Sequence, residues 1–326
     1  FIRDEKLFFC IGDVSGKGIP ASLVMAVTRS MFRTLSSHED SPERIVRLMN
    51  DAMADVNENN MFVTFFLGVL DLPTGQMRYC NAGHNAPVML TDTKSPLPVE
   101  ANLPLGVLPG FEYVGQKTAM HDDDAIFLYT DGLSEAENSS HQLFGEERMF
   151  EVLGTRRRSE DHLEAVKSAV RDFVGEAPQS DDLTMLFIHY FSPRRLTLEN
   201  DIKEIGKLSA FVESIGEERN LDPVLVSSLN LALEEAATNV IMYAYPKETA
   251  GTLDIGAILG PDTLEFTLTD GGVPFDPTAA PEADVTLGAE DRGIGGLGIF
   301  LVRKIMDSVV YTRKDGRNIL KMTKKI

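Results

Sequence analysis

Three times in the first 190 residues an apolar run meets an aspartate at its end. Leu7-Phe8-Phe9-Cys10-Ile11 runs into Gly12-Asp13-Val14-Ser15-Gly16-Lys17-Gly18, and Ala125-Ile126-Phe127-Leu128-Tyr129 runs into Thr130-Asp131-Gly132. Ser180-Asp181-Asp182 opens a third run at 183–190. Short apolar runs bounded by Gly, Ser and Asp read as buried strands. Each acid therefore sits where a sheet ends, and the glycines beside Asp13 let backbone or a ligand come close. Hard divalent cations favour such carboxylate oxygens. An Asp in a Gly-rich turn is also an ordinary Asx cap, and periodicity alone does not bring three distant acids together.

The stretches between these acids predict helices around a β-rich unit. A helix is expected over 20–35 with Leu23, Val27 and Met31 on one face. Ser41-Pro42-Glu43 opens a second helix, to about residue 56, as N-cap, N1 proline and first-turn acid. Runs at 62–71 and 76–81 around Pro73-Thr74-Gly75 form a hairpin pattern. His84, in Asn81-Ala82-Gly83-His84-Asn85-Ala86-Pro87, reads as stabilising a tight loop by hydrogen bonding in preference to acting as a ligand or proton carrier. A proline-rich loop at 96–109 and helices at 145–153 and 159–174 complete this half.

A length of 326 residues implies about two domains. With 43% apolar and 25% charged residues, each half can bury a core. The net charge of −19 repels phosphate backbones, so no nucleic acid partner is expected. Two cysteines, Cys10 and Cys80, exclude a disulfide framework and point to a reducing, cytoplasmic compartment. The longest apolar run, 61–70, is too short to span a bilayer, so no membrane is expected. The chain opens without Met, almost directly into a strand, and reads as a piece of a longer protein. Phe191-Ser192-Pro193-Arg194-Arg195 is a polar break that sets the domains at 1–192 and 193–326.

In the second half, Leu229, Leu233, Ala236, Val240 and Tyr243 recur at the helical period behind Asp222-Pro223 and are expected to face a core. Glu235 and Asn239, one turn apart, leave the same face. A carboxylate can take a proton from an attacking hydroxyl. An amide oxygen beside it can hold a Mg²⁺ that carries a nucleotide's phosphates. Such a pair also arises on any solvated helix face. Strands at 252–259 and 263–269 follow, the second ending in Asp270-Gly271-Gly272-Val273-Pro274. That Asp can accept from an exocyclic amine such as adenine's, or the segment can be a plain Gly-Pro turn. Arg292-Gly293-Ile294-Gly295-Gly296-Leu297-Gly298 leads into a helix at 299–306, so bare amide N–H groups point at an anion. Strands at 308–313 and 318–324 close the sheet.

Taken in order, GDVSGKG at 12–18, NAGHNAP at 81–87, YTDGLSEA at 129–136, FGEER at 144–148 and SDDLTML at 180–186 resemble the PPM-type (PP2C-like) metal-dependent Ser/Thr phosphatases of the bacterial sporulation and stress-response branch. The resemblance implies a helix-flanked antiparallel β-sandwich with two Mn²⁺ or Mg²⁺ ions. Asp13 would bridge both ions as the catalytic acid, the Val14 carbonyl would lie beside it, and Asp131 and Asp181 would complete one ion. The family also has an acidic motif on the preceding strand, and this chain starts too late to contain it.

LEEAATNVIMYAYP at 233–246 and GGLGIFLVRKIMD at 295–307 are similar to the GHKL ATPases, and within them to the anti-sigma-factor serine kinases of partner-switching systems. The implied fold is a Bergerat α/β sandwich, making the whole chain a two-domain α+β protein. The resemblance implies that Glu235 is the general base and Asn239 holds Mg²⁺. Asp270 would bind adenine, and Gly272, Gly296 and Gly298 would line the ATP. Arg292 would reach a phosphate, and Thr323 would contact the base side. Tyr243 stands where many GHKL proteins carry His or Lys. The implied protein is bifunctional. It would dephosphorylate and, with ATP and Mg²⁺, phosphorylate a STAS-type anti-sigma antagonist, with a sigma factor or anti-sigma factor as a further partner and a homodimer by analogy. The alternative is a phosphatase whose second half only binds ATP and a partner. A two-component histidine kinase fits poorly, because no His lies beyond His189. A DNA-dependent ATPase fits the acidic surface worse.

Overall fold

The computed structural model describes residues 1–55, 61–154, 159–179, 181–246, 249–279 and 297–326. The chain divides into two compact units, Phe1–Ser192 and Pro193–Ile326. Among the described residues, no helix is long and apolar enough to cross a membrane.

The first unit opens with β1 (Ile2–Arg3), β2 (Lys6–Val14), α1 (Ile19–Leu35) and α2 (Pro42–Ala54). Strands β3 (Val63–Asp71), β4 (Gln76–Ala82), β5 (Val88–Leu90), β6 (Lys94–Pro96), β7 (Gln116–Ala119) and β8 (Ala125–Tyr129) follow. The short α3 (Asp131–Ser134), α4 (Gly145–Val152), α5 (Ser159–Val174) and β9 (Met185–His189) complete it. Two antiparallel sheets result, in the orders β1-β2-β3-β4-β7 and β6-β5-β8-β9. Strand alternation explains their stacking. Phe9, Ile11, Phe66, Leu70 and Tyr79 face Ile126, Leu128 and Tyr190 across the sandwich. On the outer face of the first sheet, Phe8, Phe65 and Leu67 pack on Ile45, Val46 and Met49 of α2. On the outer face of the second, Phe127 and Tyr129 pack on Met149 and on Val166 and Val170 of α5. This is the helix-flanked antiparallel β-sandwich expected above.

Gly68 leaves a gap in this interior that a larger residue does not fit without displacing a neighbour. It pairs with Phe9 across β2 and β3, and a Cβ there would overlap the Phe9 ring. Gly68→Ala is expected to cost about 1–3 kcal/mol, because a close-packed core answers added volume with strain. A urea melt of the variant against the unaltered chain measures this, and an unchanged midpoint would show that Phe9 can move aside.

The inward face of α1 differs from the expectation. Ala21, Thr28 and Phe32 are buried, whereas Leu23 and Val27 are 63% and 51% exposed. Apolar residues ring this helix, so Val24 and Met25 pack against the core together with Met31 of the predicted stripe, in place of Leu23 and Val27. Periodicity cannot choose between two apolar faces. Ser41 caps α2 as read, accepting from Arg44 N.

The second unit comprises β10 (Arg194–Glu199), α6 (Ile205–Glu218), α7 (Pro223–Tyr243), β11 (Thr252–Leu259), β12 (Thr263–Asp270), α8 (Leu297–Ile305), β13 (Ser308–Lys314) and β14 (Arg317–Lys325). One antiparallel sheet in the order β10-β11-β12-β14-β13 carries the helices on one face. Helix α7 packs against α6 and α8. Asp222 caps it, accepting from Val224 N at 2.7 Å with Pro223 at N1. Leu229, Leu233 and Ala236 are buried against Phe266, Leu268 and Met322 of the sheet. Tyr243 was expected in this core but is 63% exposed, because the helix ends there, past the sheet's cover.

Candidate functional site

In the first unit, the ladder between β2 and β3 sets Asp13 opposite Thr64. Thr64 Oγ1 lies 2.9 Å from His84 Nδ1 and 3.4 Å from the Asp13 carbonyl. Asn81 clamps the His84 loop, accepting from His84 N at 2.9 Å and donating to His84 O at 2.8 Å. Burial pushes the His84 imidazole down to about 4, against the nearby Asp131 charge, so the ring is neutral at physiological pH. This geometry supports the loop-holding reading of His84.

Asp131 starts α3 directly after β8. Thr130 fixes its surroundings. Thr130 N donates to Thr184 O at 3.1 Å, Thr130 Oγ1 donates to Asp182 O at 3.2 Å, and Thr184 N donates to Thr130 Oγ1 at 3.2 Å. Gly132 lies so near the Asp182 backbone that a Cβ would collide with its carbonyl. These contacts draw Asp131 beside Asp181 and Asp182. The Asp13 carboxyl registers the result. Its pKa is raised first by burial and then by the charges of Asp131 and Asp181 and, more weakly, Asp182, with one bond from Val14 N opposing. Lys17, from the Gly-rich loop, reaches Asp181 Oδ1 at 3.3 Å. Among the described residues, no three His, Cys, Asp or Glu side chains converge on a single ion position. The acids thus feel one another without closing round a point. Their donor set is oxygen-only and anionic, with a carboxyl destabilised by like charge, which suits hard divalent cations.

In the second unit, a cavity of about 410 Å³ opens beside α7, walled mainly by apolar side chains, with Asn239, Asp270, Arg303 and Asn318 and the tyrosines Tyr243 and Tyr311 bringing polar groups. A small number of placed polar groups in an apolar cleft is the usual composition of a small-molecule site. Gly298, in the first turn of α8, lies against both members of the helix pair. A Cβ there would run into the Glu235 carboxylate and come within 3.7 Å of Asn239 Nδ2. Glu235, Asn239 and Gly298 are therefore brought together. Gly272 N donates to Asp270 Oδ1 at 2.8 Å. Val273 N donates to Ala244 O at 2.8 Å, which ties the segment after β12 to the end of α7. Arg292 and Gly296 lie outside the described residues.

Thr323 is not brought to the cavity. On β14, Asn318, Leu320 and Met322 point to the helix side, and Thr323 is one residue out of phase. Asn318 takes the polar place on this strand, donating to Asp270 Oδ1 at 2.9 Å. Sequence reasoning passed over it, although an Asn in phase with Leu320 and Met322 on a closing strand was the available signal.

A family model described as Stage II sporulation protein E (SpoIIE) matches residues 3–191, and one described as Histidine kinase-like ATPase domain matches residues 198–324. Protein IcfG of Synechocystis sp. is 25% identical over 217 residues, covering 58% of this chain and 34% of that protein. Phosphoserine phosphatase RsbU of Bacillus subtilis is 28% identical over 138 residues, covering 41% of each. Serine-protein kinase RsbW of Listeria monocytogenes is 29% identical over 136 residues, covering 40% of this chain and 85% of that protein. The chain spans less than half the length of the first two relatives. Among solved structures, the SiaA-PP2C domain of Pseudomonas aeruginosa superposes with a TM-score of 0.52 at 20% identity, covering 58% of this chain and 78% of that one, which is a likeness of fold. The first unit ends its sandwich strands in the acids that the SpoIIE model spans, and the second carries its own ATPase-like cavity, so the chain belongs to the Stage II sporulation protein E (SpoIIE) family, with a PPM-type phosphatase domain followed by a histidine kinase-like ATPase domain.

Proposed function

We propose that the protein is a bifunctional partner-switching regulator. Its first unit removes phosphate from a phosphoserine or phosphothreonine on a STAS-type anti-sigma antagonist. Its second unit adds phosphate to the same class of partner from ATP, with a sigma factor or anti-sigma factor as the output. The observation that carries this reading is the meeting of Glu235, Asn239 and Gly298 beside the cavity that holds Asp270. The similarity to a phosphoserine phosphatase and to a serine-protein kinase supports it.

In the first unit, Asp13, Asp131 and Asp181, with the Val14 carbonyl, would hold two Mn²⁺ or Mg²⁺ ions. Bound there, such ions supply a water of lowered pKa and neutralise phosphoryl charge. The chain's own part is to hold the carboxylates in place through the Thr130–Thr184 contacts and the β2–β3 ladder. In the second unit, Glu235 takes the proton of the partner's serine hydroxyl as that oxygen bonds to the γ-phosphorus. The bond to the β-phosphate oxygen breaks and ADP leaves. Asn239 offers its amide oxygen to Mg²⁺, and α8 presents N–H groups at Gly298 to the phosphates. Asp270 accepts from the adenine amine. A protein that only bound ATP would have no use for a carboxylate at 235.

Intact mass of the partner tests the reading. With Mg-ATP the partner is expected to gain one phosphate. With Mn²⁺ and no nucleotide, the protein is expected to remove it. ATP binding without any gain in mass would make the second unit a binding module and the protein functionally a phosphatase.

A further inference from the structure

The Asn81-to-Pro87 stretch joins the two sheets of the first unit, leading from the end of β4 to the start of β5. The clamp on this loop uses backbone, because the Asn81 side chain bonds His84 N and His84 O. The His84 ring has no part in that clamp, yet His84 is buried. Its imidazole enters the end of the sandwich interior. Strand alternation puts Asp13 and Thr64 on the inner face, in phase with Ile11 and Phe66. There Thr64 Oγ1 stands between His84 Nδ1 and the Asp13 carbonyl, and either direction of the hydroxyl proton links the ring to Asp13's strand.

The other sheet is reached by the same loop. The His84 ring faces the Tyr129 backbone and the Asp131 charge. Asn85, beside it, donates to the Tyr129 phenol, which donates in turn to Glu146 Oε1 at 2.7 Å. Tyr129 ends the strand that delivers Asp131. The loop therefore touches β3 through His84 and β8 through His84 and Asn85. Among the described residues, His84 Nε2 closes no hydrogen bond of full geometry, which leaves Thr64 as the ring's firm contact. A buried imidazole gives up water and recovers little here, so an apolar side chain would fill the space at lower cost. What the ring contributes is placement.

We propose that the 81–87 loop is a cross-brace between the two sheets and that His84 is its positioning residue, setting through Thr64 where Asp13 stands against Asp131 and hence how tightly the acids hold a divalent cation. The proposal rests on the metal-binding reading of this unit. Asp13 and Asp131 come from different sheets and repel each other. They share a cation well only if their separation is held before the cation arrives. Groups behind the ligands supply such orientation, and their loss weakens metal affinity by about 10–100-fold.

The test is calorimetric titration of the whole chain with Mn²⁺, beside a metal-free melt, for Thr64→Val, His84→Leu and the two combined. Each single change is expected to weaken Mn²⁺ binding by about tenfold. Both break the same contact, so the double variant is expected to lose little more than the weaker-binding single one. A ring that only steadied the loop would lower the melting temperature and leave the Mn²⁺ affinity of the folded chain as it was. Unchanged affinity in both single variants, or losses that multiply in the double, overturns the proposal while leaving the metal reading intact. If His84→Leu melts below the titration temperature, the affinity of Thr64→Val decides. An unaltered chain that binds no Mn²⁺ would overturn the proposal and the reading beneath it together.

Discussion

Glu235→Gln is expected to leave nucleotide binding within a few-fold of the unaltered chain and to slow phosphate transfer by about 10²–10⁴-fold, the usual contribution of a positioned general base. The separation follows from where the residues lie. The cavity is lined by Asn239 and Asp270 but not by Glu235, which stands one helical turn away against Gly298. Glutamine keeps the length and polarity of the side chain and removes only its ability to take a proton. The two quantities are read apart, by titration with Mg-ADP and by the rate of single-turnover transfer to the partner. Loss of nucleotide binding on this change would mean that Glu235 holds the bound nucleotide instead of receiving the serine proton. Gly298→Ala offers an independent approach. Its Cβ would displace the Glu235 carboxylate without changing its chemistry, so transfer should fall there too, by a smaller factor.

Much of this fold is legible where a short-range rule suffices. Asp222-Pro223 and Ser41-Pro42 cap their helices because an acceptor followed by a residue without N–H satisfies the first turn locally. The strands at 252–259 and 263–270 alternate cleanly because one face is buried under helices. Legibility fails where a long-range partner decides. Strands β5, β6 and β7 have only three or four residues each, too few to show alternation, and form only because neighbouring strands pair with them. The exposed Leu23 and Val27 look like core until the sheet selects another face of α1. The same division runs through the candidate sites. That Glu235 and Asn239 share a helix face follows from helical geometry, but that Gly298 closes on them depends on packing of α7 against α8. Asp13, Asp131 and Asp181 each read as strand-end acids, but what sets Asp131 beside Asp181 is a Thr130–Thr184 pairing across 54 residues. Asn318 was passed over because the family resemblance pointed to Thr323, which is out of phase with the cavity-lining Asn318 and Leu320.

Asp13→Asn is expected to raise the melting temperature of the first unit without metal and to remove most of its response to added Mn²⁺. Burial and the charges of Asp131, Asp181 and Asp182 raise the folded-state pKa of Asp13 above its ordinary 3.8. The folded chain therefore binds a proton more tightly than the unfolded chain. Stability falls as pH rises from the ordinary value through the raised one. Asparagine carries no charge, so the variant escapes that loss and its stability loses this part of its pH dependence. The unaltered chain recovers it differently. An ion held among the acids stabilises the folded state by about 2.7 kcal/mol at a hundredfold excess over its dissociation constant. For a unit of this size that is a shift of roughly 5–10 °C. A neutral amide in place of the proposed bridging carboxylate removes most of that shift. The same change should lower Mn²⁺-dependent dephosphorylation by about 10³-fold or more, since the nucleophilic water depends on the ions. Scanning calorimetry with and without Mn²⁺ distinguishes the possibilities. A lower metal-free melting temperature in Asp13→Asn would show that the carboxylate is held by favourable contacts after all. A retained Mn²⁺ shift would place the cation elsewhere and remove Asp13 from the centre of the site.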